Sequence, residues 1–342
     1  MVGVFKTSNR SKGAGQLMIM TVLIAIAAGC ASALMFASIV SGALISLLLL
    51  YFAPLPLMVA ALGWGPLAAT IGGIGAATGL GAIFGLPFCI AFVVMMALPA
   101  WWLGHLTLLG RPIANGVPSG NGAAPVAPAL EWYPTGRILL WIAGFAVLTT
   151  MATLLTLGTD AATITGTLRA GLLRILGPSV TASGDELKQR IDAVVMIAPA
   201  AAANSTMTML MLNLWLAAKI TATSGRLHRA WPDLKSTDLP PMTLAALSAA
   251  IAFCFSGGLL AMLAQTITAA LLMSYALTGF AVLHTLTLGL KGRALWLGST
   301  YAIVVMSGGW LIVTMVILGI ADAIFGLRQR YLRGRPPPLP AS

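Results

Sequence analysis

The segment NSTMTMLMLNLW, residues 204 to 215, carries amides and hydroxyls inside a long apolar run. At about 100° per residue, Asn204 and Thr208 share one helix face a turn apart, while Asn213 points to roughly the opposite side. Later apolar runs add Gln265, Tyr275, His284 and Asp322. Such groups are costly in hydrocarbon unless they are paired or functional. Their chemistry is recognition or proton movement: together they could line a pocket for a small polar solute. The commoner use is hydrogen bonding between helices, and that is expected for most of them. His284 lies four residues from Leu288 at the end of its run, where headgroups can meet it. Asp322 closes the last run, and two readings stay open: a carboxylate satisfied at a helix end, or a buried proton-handling group.

Other chemistry has no local signature. No Gly-x-x-x-x-Gly-Lys-Ser/Thr loop occurs, so nucleotide hydrolysis by that route is not expected. No His-Glu-x-x-His occurs, and His105, His228 and His284 are far apart. Cys30, Cys89 and Cys254 sit in apolar runs without Cys-x-x-Cys spacing and read as small hydrophobes, not metal ligands. AIAAGCASA around Cys30 resembles a lipoprotein cleavage site, but the residues after it stay apolar, which argues against processing there. Neither catalysis nor a cofactor is expected.

The elements that carry the polar residues follow from composition. Of 342 residues, 59% are hydrophobic and 8% charged, where a soluble domain carries about 25% charged residues. Between Lys12 and Arg111 there is no Lys, Arg, Asp or Glu, and ~20 apolar residues suffice for a transmembrane helix. The chain therefore reads as an all-α, polytopic integral membrane helix bundle in a lipid bilayer. The net charge of +11 gathers at Lys6, Arg10 and Lys12, at Arg226, Arg229 and Lys235, and at Arg328, Arg330, Arg333 and Arg335. That distribution fits the cytoplasmic loops of a membrane protein better than nucleic-acid binding.

Nine apolar segments are legible: 17–39, 43–62, 64–83, 86–108, 137–158, 191–219, 243–263, 265–289 and 296–323. Nine full crossings would put the arginine-rich end opposite the basic start. If 243–289 crosses once, eight crossings result and both basic ends lie on the cytoplasmic side, which is the preferred count of 8 to 9. Pro240, Pro241 and the Ser256-Gly257-Gly258 interruption suit a broken helix there, or a plain hairpin turn.

Along the chain this gives a basic tail (1–16), a charge-free Gly/Ala-rich transmembrane block (17–109), a Pro/Gly-rich flexible connection (110–136), a second transmembrane block (137–323) and a basic, Pro-rich tail (324–342). Within the second block, residues 160–190 form an excursion. Ile164, Leu168, Leu172 and Leu176 recur every four residues, predicting an amphipathic helix at the membrane surface. Ser183 and Glu186 have capping-box spacing, so a new helix starts near Gly184 and, if it reaches Lys219, protrudes from the bilayer. The arginines from Arg328 onward would anchor the last helix at the headgroups.

Small residues repeat at spacing four at Ala25, Gly29 and Ala33, and again at Gly75 and Gly79, the pattern that lets helix backbones approach closely in lipid. With YFAPLPLMVAALGWGPLAATIGGIGAA (51–77), LTGFAVLHTLTLG (277–289) and LGIADAIFGLRQR (318–330), the chain resembles the YybS-like family of uncharacterised bacterial multi-pass membrane proteins. The resemblance implies a distant kinship with the substrate-binding S components of energy-coupling-factor transporters. It further implies an S-component-like core and a first-helix stripe, here Ala25, Gly29 and Ala33, that docks on a coupling membrane protein with ATPases. S components usually have six helices, so this chain departs from them in number. Two functions are thus expected: a small-solute binding or transport subunit, or a non-transporting membrane scaffold or regulator.

Overall fold

The computed structural model describes residues 4–112, 130–177, 185–233, 237–307 and 309–333. It is an all-α polytopic membrane helix bundle whose chain divides into two units, residues 1–133 with 208–231 and residues 134–207 with 232–342.

The first unit begins with α1 (Val4–Ala37), so the helix of the first span, Met18 onward, is continuous with the basic segment before it. Next come α2 (Leu44–Phe52) and α3 (Leu55–Trp64), α4 (Pro66–Phe84), then α5 (Leu86–Phe92) and α6 (Leu98–Leu108) joined through the π turn Val93–Ala97. Pro66 and Pro87 each stand in the first turn of a helix, where a missing N–H costs nothing, whereas Pro99 lies inside the continuous 86–108 helix just after the π turn. Gly65 alone links α3 to α4, and Gly85 alone links α4 to α5.

Pro54 and Pro56 break the second span between α2 and α3, because proline removes backbone donors. Two side chains from other helices address the carbonyls there. Ser32 Oγ donates to Ala53 O at 2.6 Å, and Asn213 Nδ2 donates to Tyr51 O at 2.8 Å.

The crossing of α1 and α4 depends on glycine. A Cβ on Gly29 would collide with the Gly72 carbonyl, and one on Gly72 with the Ala25 carbonyl. Backbones this close gain dispersion contact that lipid cannot supply. Ala25 and Gly29 are therefore used inside the unit. Gly75 and Gly79 are not part of the crossing: both are exposed, with no atom within 4 Å of where a Cβ would stand. Their stripe is thus not used within the unit and stays open on its surface.

The connection expected to be flexible has structured ends. β1 (Gly110–Pro112) pairs antiparallel with β2 (Leu130–Trp132); residues 113–129 lie outside the described set.

The second unit holds α7 (Thr135–Leu157), α8 (Ala161–Leu176) and residues 185–207 of α9 (Asp185–Thr223). The expected amphipathic helix is α8. Asp160 caps it, accepting from the Thr163 amide at 2.9 Å, and Ile164 is fully buried against Leu154 and Met262. Ser183 and its capping box lie outside the described residues. At 39 residues α9 is about 58 Å long, beyond the ~30 Å of hydrocarbon.

Then come α10 (Met242–Phe253), α11 (Gly258–Leu286), α12 (Arg293–Met306), α13 (Ile312–Phe325) and α14 (Leu327–Arg333). The 12 residues of α10 reach only about 18 Å. Leu247 packs with Leu271 and Tyr275, and Cys254 Sγ lies 3.6 Å from Thr268 Oγ1, so α10 runs back along α11 as the short arm of a hairpin. The 296–323 segment is not one span: it breaks at 307–311, where SGGW interrupts the apolar run, giving two 14-residue helices. α13 packs antiparallel on α11 through Gly279, opposite the Met315 carbonyl, and Gly319, opposite the Tyr275 carbonyl.

Among the described residues, seven helices are long and apolar enough to cross a membrane, or eight if α13 and α14, bent by 66°, count as one span. The eighth is thus the bent pair, with α12 a separate short helix.

Candidate functional site: a polar cleft and a buried arginine

Three helices of the second unit each present one face to a cleft of about 450 Å³. From α8 come Ala162, Thr165, Gly166 and Arg169; from α9, Asp192, Val195, Met196 and Pro199; from α11, Gly258, Ala261, Met262 and Gln265. Each set steps by three and four residues, the spacing of one helical stripe. Arg169 Nη2 and Asp192 Oδ1 are 3.1 Å apart, with side chains 43% and 56% exposed. The pair is wet, and its net attraction is small. Pro199 has no N–H, so the Val195 carbonyl, one turn earlier on the same stripe, loses its helical donor. The cleft therefore offers a cation, an anion, an amide and apolar walls.

Of the residues singled out from sequence, only Gln265 lines this cleft. Asn204 and Thr208 are half-buried on α9 and do not line it. Asn213 is fully buried at the α2–α3 break of the first unit, its Nδ2 also donating to Met209 O at 2.7 Å. Tyr275 is core, packed with Leu247, Leu271, Val316 and Ile320. His284 Nε2 lies 2.8 Å from the Tyr301 hydroxyl, so its ring meets a protein partner on α12. The seven candidates do not converge on one pocket. Arg169 and Asp192 were not singled out: in sequence they look like the charged face of surface helices. The signal that could have found them is the polar and small stripe 162-165-166-169, facing an acid seven residues before a mid-helix proline.

Asp322 is buried and paired. Arg328 Nε donates to Asp322 Oδ2 at 2.7 Å and the Arg328 amide donates to Oδ1 at 2.8 Å. The guanidinium also donates to Thr237 O at 3.0 Å and bonds the Asp238 carboxylate. Gly326, at φ 62°, makes the turn that returns residue 328 to residue 322. The expectation that Arg328 anchors at the headgroups is corrected by this geometry, because its side chain is 8% exposed. An arginine held by two carboxylates and a carbonyl is a clamp on the 237–238 segment.

A second buried arginine belongs to the first unit. Arg229 donates to Thr107 O at 3.1 Å, in the last turn of α6, and to Tyr133 O at 3.0 Å, beyond β2. Carbonyls at a helix C-terminus favour a cation, although burial lowers the Arg229 pKa from its ordinary value. Nearby, Arg226 lies over the Trp64 ring at 4.5 Å and Lys219 over the Trp231 ring at 4.6 Å. Tryptophan paired with basic residues at one end of a bundle suits a membrane–water interface.

Fold and sites together define a multi-pass, all-α transmembrane protein with a polar cleft in one helical unit. Comparison with protein-family models, curated proteins and solved structures gave no match.

Proposed function

We propose that this chain is a small-solute binding or transport subunit, and that the cleft between α8, α9 and α11 is its solute site. The observation that carries the reading is the grouping of Arg169, Asp192 and Gln265 around one cavity of about 450 Å³, a size and chemistry suited to orienting a small molecule. A mid-helix proline, the short arm α10 and the break between α12 and α13 add irregular backbone of the kind found beside polar cavities in membranes. In this reading the chain sits in a bacterial inner membrane with both basic ends cytoplasmic, supported by the Lys and Arg at 6–12, 226–235 and 328–335. A separate ATPase with a coupling membrane protein would supply energy, as the resemblance to S components implies. Since Ala25 and Gly29 already face α4, such a partner would dock on another surface.

The test is gentle co-purification of the tagged full chain from its own membranes, followed by mass spectrometry. A coupling protein and ATPase recovered in fixed ratio supports the reading. Envelope or biogenesis proteins without an ATPase would favour the scaffold instead.

A further inference from the structure

We infer that the cleft takes a small zwitterion with an apolar body, of the α-amino-acid class; this rests on the cleft being the solute site. The two charges that line it have opposite sign and lie 3.1 Å apart. An anionic solute would satisfy Arg169 and leave Asp192 facing a like charge; a cationic solute would do the reverse. A molecule with a carboxylate and an ammonium on one carbon satisfies both by exchanging partners: its carboxylate takes the Arg169 guanidinium and its ammonium takes Asp192.

The exchange costs little, because an exposed ion pair holds weakly in water, and the replacing contacts form where the solute excludes solvent. The remaining walls, Met196, Pro199, Ala261 and Met262, are apolar and suit a hydrocarbon side chain. Gln265, one turn beyond Ala261, can accept or donate and does not discriminate between the two charged ends.

Isothermal titration of the detergent-purified full chain with L-leucine, 3-methylbutylamine and 4-methylpentanoate tests the class. The last two are leucine without its carboxylate and without its ammonium. Leucine should bind, and each analogue at least about tenfold more weakly, because each leaves one charge of the site unpaired. Arg169→Gln and Asp192→Asn should each lose leucine binding while melting like the parent, since both side chains are half-exposed.

Equal binding of leucine and either analogue, or no binding of leucine, overturns the inference. Should another small solute then bind the parent but not Gly166→Phe, which fills the cleft, the zwitterion class falls and the solute site stands. Should no solute distinguish those two proteins, both fall.

Discussion

Asp322 and Arg328 meet across the 66° bend between α13 and α14, where the aspartate accepts from both the backbone amide and the guanidinium of the arginine six residues on. Both side chains are nearly inaccessible, at 7% and 8%. Removing one partner of a buried pair strands the other charge, which typically costs about 3–5 kcal/mol. Asp322→Ala should therefore lower unfolding stability by roughly that amount. The double variant Asp322→Leu with Arg328→Met should recover most of it, because a hydrophobic pair strands no charge. Thermal unfolding of the purified variants compares them directly.

This pair also shows where sequence reading stopped. In sequence Arg328 is the first of four arginines after a long apolar run, the ordinary pattern of a headgroup anchor. What turns it inward is the positive-φ bend at Gly326 together with acceptors at Thr237 and Asp238, about ninety residues away. Likewise, 296–323 read as one apolar segment, because a long apolar run does not announce a break. The spans themselves were legible because an uncharged run of sufficient length has few alternatives. The cleft was not, since Arg169 and Asp192 meet only after α8 folds back beside α9.

The glycine crossings yield an ordered series. Gly29→Leu should disrupt α1 on α4, and Gly279→Leu should disrupt α11 on α13, since in each case a facing carbonyl occupies the space of the new Cβ. Overpacking of this kind costs about 1–3 kcal/mol or more. Gly75→Leu, in open space, should leave stability unchanged. Monodispersity on gel filtration after a heating ramp should rank Gly75→Leu with the parent and the other two below it. Loss of a partner from Gly29→Leu would therefore report damage to the fold, not a lost docking face.

Asn213 and Ser32 serve the proline break of the second span. Asn213→Leu should cost about 1 kcal/mol, the usual scale for interhelical hydrogen bonds in membranes. Chemical unfolding in mixed micelles reads it, and an increase in stability would contradict the capping role.

Asp160 gives a pH dependence. The Thr163 hydroxyl, then the Thr163 amide, holds its carboxylate below the ordinary value. A lowered folded-state pKa means that the contribution is full above the unfolded value of about 3.9 and is lost as pH falls through the folded value. Hydrogen exchange in the first turn of α8, corrected for intrinsic rate, should accelerate as the solution is acidified through that window. Asp160→Asn, which retains an acceptor but does not titrate, should remove the pH dependence.

The most direct test of the solute site is the melting temperature of the parent and of Gly166→Phe across a panel of small polar solutes. Gly166 lines the cleft with no atom within 4 Å of where its Cβ would stand, so the new ring enters the cavity without displacing a helix. At least one solute should raise the melting temperature of the parent and leave the variant unmoved. Equal stabilisation of both proteins by every active solute, or stabilisation of neither, would contradict a solute site in this cleft.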